Sequence, residues 1–172
     1  MEQHNIPPVW NEESRVLILG SFPSVKSREG WFFYHHPQNR FWKVLAAVLD
    51  CPIPSTVEEK AAMLLQNRIA LWDVIASCEI TGSSDSTIKN AVPNDLSQIH
   101  APIAAIFCNG QTAHRLYKKH LQPQTNREAI LLPSTSPANA AWTQEKLTEY
   151  WRAALLPAFA PDGSTPRSFE RR

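Results

Sequence analysis

Arg15-Val16-Leu17-Ile18-Leu19 running straight into Gly20-Ser21-Phe22-Pro23-Ser24 is the stretch on which the fold turns. Its first half is almost entirely apolar and lacks the alternation of a strand with one wet face, so it reads as a strand covered on both sides, as in a parallel sheet. Its second half is small, polar and broken by proline, the make-up of a loop that brings backbone amides close to a ligand. The same pairing recurs along the chain. Ile69 to Ile75 precedes the stretch from Ser77 to Asn90, Ile103 to Cys108 precedes Asn109-Gly110, and Ala129 to Leu132 precedes Pro133-Ser134-Thr135-Ser136-Pro137.

Between these runs lie helical patterns. Asn39 to Leu49 places Phe41, Trp42, Leu45, Val48 and Leu49 at helical spacing, Val57 to Leu65 repeats the pattern, and Gly110 to Leu121 gives a third. A fourth is expected from Thr143 to Leu155, with Thr143 as N-cap and Leu147, Tyr150, Trp151 and Leu155 turned inward. Strands alternating with helices give an α/β fold, a three-layer α/β/α sandwich with a central four-stranded, mostly parallel sheet. Ligands of such sheets sit beyond the carboxyl ends of the strands, which directs attention to the four loops above.

Composition narrows the chemistry. The chain has 172 residues, of which 43% are hydrophobic and 19% charged, enough for one globular domain with a real core. Residues 1–160 are expected to form that domain, and 161–172, with proline, glycine, serine and three arginines, a flexible basic tail. No apolar run is long enough to span a membrane and no signal peptide opens the chain, so a soluble cytoplasmic monomer is expected. Three cysteines, Cys51, Cys78 and Cys108, without CxxC spacing speak for reduced thiols and against a zinc knuckle. With glycine only at 20, 30, 82, 110 and 163, neither a P-loop nor a GxGxxG fingerprint can be written; HExxH and GxSxG are absent as well. A formal charge of +1 decides nothing about polyanions, which respond to local faces.

The densest aromatic stretch is Trp31-Phe32-Phe33-Tyr34, followed by His35-His36-Pro37-Gln38-Asn39-Arg40-Phe41-Trp42. Trp31, Phe41 and Trp42 are expected in the core. Tyr34 and Asn39, on a loop entering a helix, are suited to stack a planar ring and hold a polar reactant beside it.

Gly20-Ser21-Phe22-Pro23-Ser24, Tyr34, the His36-Pro37-Gln38-Asn39-Arg40-Phe41-Trp42 run, Asn109-Gly110 and Leu132-Pro133-Ser134-Thr135-Ser136 together resemble the uracil-DNA glycosylase superfamily over residues 15–156. The HPxNRFW run is similar to mismatch-specific uracil glycosylases and to the hypoxanthine-DNA glycosylase branch, and the first and last loops are closer to the latter. In related branches the first loop presents Asp or Asn where this chain has Phe22, a side chain unable to hold water; in the hypoxanthine branch the catalytic amide comes from the HPxNRFW segment, here Asn39. The last loop lacks the histidine of the most active uracil-specific branch and offers Ser134 and Thr135.

What the resemblance implies is a monofunctional DNA glycosylase, removing hypoxanthine first and uracil in mispairs second, without metal or organic cofactor. Its partner is DNA carrying a deaminated base, flipped out of the stack. Asn39 would orient the attacking water, Tyr34 would be the stacking platform, and Phe22, Ser21 and Pro23 would line the pocket. Asn109 would read the base edge, as a carboxamide offers both a donor and an acceptor. Ser24, Arg40, Ser134, Thr135, Ser136 and Asn139 are the expected DNA contacts, with 137–139 as the wedge region. Asp85 is the rival for activating water, although a turn or N-cap role is the plainer expectation for it. Asp73 is expected to accept structural hydrogen bonds, and His36 to pack in its loop. A uracil-specific enzyme and a binding module without catalysis are the alternatives.

Overall fold

The structure is a computed structural model, and it describes residues 1–3 and 6–159. The tail expected over 161–172 lies outside the described residues.

Four strands form the central sheet: β2 (Val16–Gly20), β3 (Ile69–Asp73), β6 (Ala105–Asn109) and β7 (Ile130–Leu132). Their order is β3-β2-β6-β7, and every pairing is parallel. Val16 to Leu19 and Ile69 to Leu71 have no exposed surface, as a strand covered on both faces requires. Helices α1 (Val25–Gly30), α2 (Phe41–Leu49) and α3 (Val57–Gln66) connect β2 to β3. Helices α4 (Gln111–His120) and α5 (Gln122–Thr125) connect β6 to β7, and α6 (Gln144–Phe159) follows. The step from β2 to β3 and the step from β6 to β7 run in opposite directions along the sheet. Right-handed crossovers therefore place α2 and α3 on one face and α4 on the other, and α6 packs against α2. The expected three-layer architecture is present.

Caps follow the sequence. Thr56 Oγ1 accepts from Glu59 N at 3.0 Å, and Thr143 Oγ1 from Lys146 N at 3.1 Å. Phe41 and Trp42 lie in the core, but Trp31 does not: it ends α1 in a left-handed conformation and stands 61% exposed. Helix α1 itself was not expected, since a six-residue helix carries too little periodicity to show.

The run from Ile69 to Ile75 reads as a single strand in the sequence. It is not one strand. The chain leaves the sheet after Asp73, where Val74 N donates to Gly20 O at 2.8 Å and Ile75 N to Ser21 O at 3.0 Å. It re-enters a smaller antiparallel sheet as β4 (Ile75–Glu79), between β1 (Glu2–Gln3) and β5 (Lys89–Pro93). The expected Ser77 to Asn90 loop is thus strand at its two ends, Ser77 to Glu79 and Lys89 to Asn90, and loop between them. The polar residues of β5, exposed in this small sheet, give no apolar run to detect.

Register decides where the chemistry gathers. Gly20 pairs with Asp73, Leu19 with Cys108, and Asn109 with Leu132. Asp73, Gly20 and Asn109 therefore end three neighbouring strands side by side at the carboxyl edge.

Candidate active site

A cleft of about 830 Å³ opens at that edge, lined by all four loops singled out in the sequence. Its floor is crowded. A Cβ at Gly20 would fall 2.5 Å from Asp73 Oδ1 and 2.9 Å from the Tyr34 hydroxyl, so glycine is needed there for both groups to approach the strand.

Tyr34, half-buried in a left-handed conformation, stacks on Phe41 with ring centroids 4.0 Å apart and 17° between planes. Its hydroxyl is buried without a hydrogen-bond partner among the described residues. Burial, and then the charge of Asp73, raises its pKa well above that of an ordinary phenol; Asn109 opposes the shift from nearby without hydrogen-bond geometry.

Asn39, Thr135 and Asn109 form a chain whose polarity is determined at every link. Thr135 N can only donate, and it meets Asn109 Oδ1 at 3.1 Å. The other end of that carboxamide, Asn109 Nδ2, donates to Thr135 Oγ1 at 2.9 Å. The hydroxyl proton of Thr135 then goes to Asn39 Oδ1 at 2.8 Å. Phe41 N donates to the same oxygen at 3.0 Å, which also fixes which atom of the amide it is. Both lone pairs of Asn39 Oδ1 are taken, so the N–H2 is what Asn39 has left for a ligand.

This arrangement corrects several expected roles. Thr135 is fully buried and binds the two amides, so it is no contact for DNA. Asn109 is also buried; one lone pair of its Oδ1 takes Thr135 N and one N–H goes to Thr135 Oγ1, which leaves it one N–H and one lone pair for a ligand. Arg40 does not reach outward to phosphate. Its guanidinium donates to the carbonyls of Trp142, of Ser136 at 3.2 Å and of Asn139 at 3.1 Å, and its backbone N to Thr135 O at 3.1 Å. Arg40 is thus a clamp that ties the last loop to the entrance of α2. Ser24 caps α1, accepting from Ser27 N at 3.2 Å, rather than standing free for a phosphate.

Ser134, Ser136 and Asn139 line the cleft, as do Ser21, Phe22 and Pro23. Within the last loop Ser134 Oγ accepts from Ser136 N at 3.1 Å and Ser136 Oγ from Ala138 N at 3.2 Å, while Asn139 Nδ2 donates to Ser134 O at 3.0 Å. His36 Nδ1 accepts from Gln38 N at 3.1 Å, a packed loop residue. Arg28 lies over the Phe22 ring and pairs with Glu2 at 3.0 Å.

Asp85 opens a 3₁₀ turn (Asp85–Thr87) whose N-cap is Ser84, so the N-cap expectation fails by one residue. Its side chain crosses to the first loop, where Ser21 Oγ donates to Oδ2 at 2.8 Å. Burial raises its pKa, opposed by that hydrogen bond and by the charge of Arg115. Asp73, 3% exposed, is pushed up to about 8 by burial and by the charge of Asp85. It is therefore a neutral acid at pH 7, not merely a structural acceptor.

That Trp142 and Tyr150 line the cleft went unrecognised in the sequence. They meet edge to face with centroids 5.7 Å apart on the cleft lining, and Tyr150, expected inward, is 48% exposed. Its neighbour Trp151 takes the buried position and donates from Nε1 to Pro133 O at 2.9 Å. Among the described residues no cluster of His, Cys, Asp and Glu is placed to hold a metal, and no helix is long and apolar enough to cross a membrane.

A family profile described as the uracil DNA glycosylase superfamily matches residues 7–155. A curated protein of Methanosarcina acetivorans named hypoxanthine DNA glycosylase is 33% identical over 159 residues, covering 90% of this chain and 99% of its own. One of Methanosarcina barkeri with the same name is 32% identical over 143 residues, covering 81% and 89%. A solution NMR structure from Methanosarcina acetivorans, which carries the provisional name of a uracil DNA glycosylase, superposes with a TM-score of 0.77. It has 31% sequence identity and covers 92% of this chain and 99% of its own.

Proposed function

The chain belongs to the uracil DNA glycosylase superfamily, and from that premise we propose that it hydrolyses the N-glycosidic bond of deaminated nucleotides in DNA, deoxyinosine before deoxyuridine. The curated relatives named for hypoxanthine support this order. The observation that carries the reading is the Asn39–Thr135–Asn109 chain, which aims an immobilised amide into a cleft at the carboxyl edge of the sheet.

The reaction builds positive charge on the sugar and negative charge on the departing base. Catalysis then asks for a water held behind C1′ and for donors facing the base. Asn39 is the catalytic residue: its N–H2 donates to the oxygen of the attacking water, and as a carboxamide it takes no proton. The flipped base stacks on Tyr34, which Phe41 backs, with Phe22 and Pro23 as walls. The remaining N–H of Asn109 donates to the exocyclic oxygen of hypoxanthine or uracil. Adenine has an amino group at that point, and two donors facing each other cost about 1–3 kcal/mol. Ser134, Ser136 and Asn139, on the loop after β7, face the phosphates beside the flipped nucleotide. The unit at work is a monomer of residues 1–160 inside the cell.

Incubation with DNA carrying a single deoxyinosine or deoxyuridine, followed by alkali, tests this. Strand breaks at deoxyinosine exceeding those at deoxyuridine are expected. No break at either, alongside measurable DNA affinity, would leave only a binding module.

A further inference from the structure

The geometry points to Asp85 as the group that takes the proton of the attacking water, directly or through one further water, while Asn39 only holds its oxygen. This rests on the glycosylase reading and adds to it a residue the first loop lacks.

Asn39 cannot draw a proton from the water. Its carbonyl oxygen already accepts from Phe41 N at 3.0 Å and from Thr135 Oγ1 at 2.8 Å. A water gripped by the N–H2 alone keeps both its protons, and its oxygen becomes a better nucleophile only when an acceptor draws one of them away. That acceptor has to come from elsewhere in the cleft.

Phe22, in the first loop, is apolar and supplies none. Its neighbour Ser21 does so indirectly. The Ser21 hydroxyl donates to Asp85 Oδ2 at 2.8 Å, drawing a carboxylate from a segment 64 positions along the chain onto the first loop. Oδ1 of Asp85 makes no hydrogen bond among the described residues, and both residues line the cleft. The loop that carries Asp85 is itself tied to the start of α1: Ser83 Oγ accepts from Val25 N at 2.9 Å, and Gly82 O from Arg28 at 2.9 Å. The carboxylate is therefore held in place from both sides.

The groups around Asp85 separate it from the second carboxyl. Ser21 on the first loop is bonded to it, and within reach of its charge are Asp73 on β3, Tyr34 before α2, Cys78 on β4 and Arg115 on α4. Ser21 and Arg115 favour the ionised form of Asp85, whereas Asp73 is pushed up to about 8 with Asp85 already charged. When two carboxyls share a site, the one with donors ionises first and the other keeps its proton. As the carboxyl that ionises first, Asp85 is the base, while Asp73 keeps its proton longer and adds no competing charge.

The step balances. The water oxygen bonds to C1′ as the C1′–N bond breaks, the bonding pair leaves with the base, and one water proton passes to the Asp85 carboxylate. The base anion takes a proton from solvent, and Asp85 returns its proton to solvent.

The test is single-turnover release of hypoxanthine, with enzyme in excess over a deoxyinosine duplex, from pH 5 to pH 9. Wild type is expected to lose rate toward acid as Asp85 protonates. Asp85→Asn should be slower by ~10²–10⁴-fold, with affinity for a duplex carrying uncleavable 2′-fluoro-deoxyinosine kept within about threefold. Ser21→Ala removes the donor that holds Asp85 ionised, so the midpoint of its acid limb should move to higher pH. An Asp85→Asn protein as fast as wild type, or an acid limb that ignores Ser21→Ala, overturns the assignment. Wild type that releases no hypoxanthine refutes the glycosylase reading itself, a result distinct from either.

Discussion

Asn39, Thr135 and Asn109 satisfy one another with neutral groups; Ser21, Asp85 and Asp73, lining the same cleft, gather two carboxyls within reach of each other's charge. The amide group has every polarity decided by the backbone N–H groups of Phe41 and Thr135, so its geometry should not change with pH. The carboxyl group has its protons divided by environment and should carry nearly all the titration. Positioning and proton transfer are thus assigned to different loops, and each can be disturbed with the other left in place.

Apart from the loss of Asp85 itself, the largest expected effect falls on the amide group. Asn39→Ala should slow hypoxanthine release by about 10³-fold at every pH, because no titrating group is lost; single-turnover rates across the pH range check it. A loss confined to one end of the profile would mean that Asn39 acts through the carboxyls, and the division would fail.

Thr135→Val comes next. It keeps the shape but removes the hydroxyl proton from Asn39 Oδ1 and the acceptor from Asn109 Nδ2. A rate loss of up to ~10²-fold is expected from the freed amide, with little change in affinity for the uncleavable duplex. Thr135→Ser, which restores the hydroxyl, should recover most of it. A Val variant that loses affinity rather than rate would show that Thr135 serves only to pack the loop.

Asp73→Asn should have the smallest effect on rate at pH 7, since a neutral acid is replaced by a neutral amide, and its effect is expected in stability. The folded state holds the Asp73 proton up to about pH 8, whereas the unfolded chain releases it near the ordinary carboxylate range. Wild-type stability therefore falls as pH rises between those limits and levels off above them. The Tm of Asp73→Asn relative to wild type should rise from pH 5 to pH 8.5, by roughly 5–10 °C if a few kcal/mol are recovered. A constant difference would place the ionisation of Asp73 outside that window.

How much of this was legible in sequence follows the range of the forces involved. The four runs covered on both faces announced a parallel sheet, and register then had to bring their loops together. The break after Asp73 was not legible, because Ile69 to Ile75 is continuous in hydrophobicity and only backbone bonds from Val74 and Ile75 to the first loop show the change of sheet. Tyr150 and Trp151 are adjacent and both aromatic; which one faced inward depended on the phase of α6 against α2, which no cap reports. Arg40 offered the same ambiguity, a cation beside a site, settled only when the carbonyls of the last loop closed around its guanidinium.

Chain order alone determined the α/β class, the four loops that make the cleft, and the residue types brought to it, since hydrophobic runs and turn chemistry are local properties. Tertiary structure decided what each polar group has left to offer. Thr135 lies 96 positions from Asn39, and Asp85 lies 64 from Ser21. Hydrogen bonds across such separations determine which lone pairs and protons remain free for a substrate, and nothing in the local sequence encodes them.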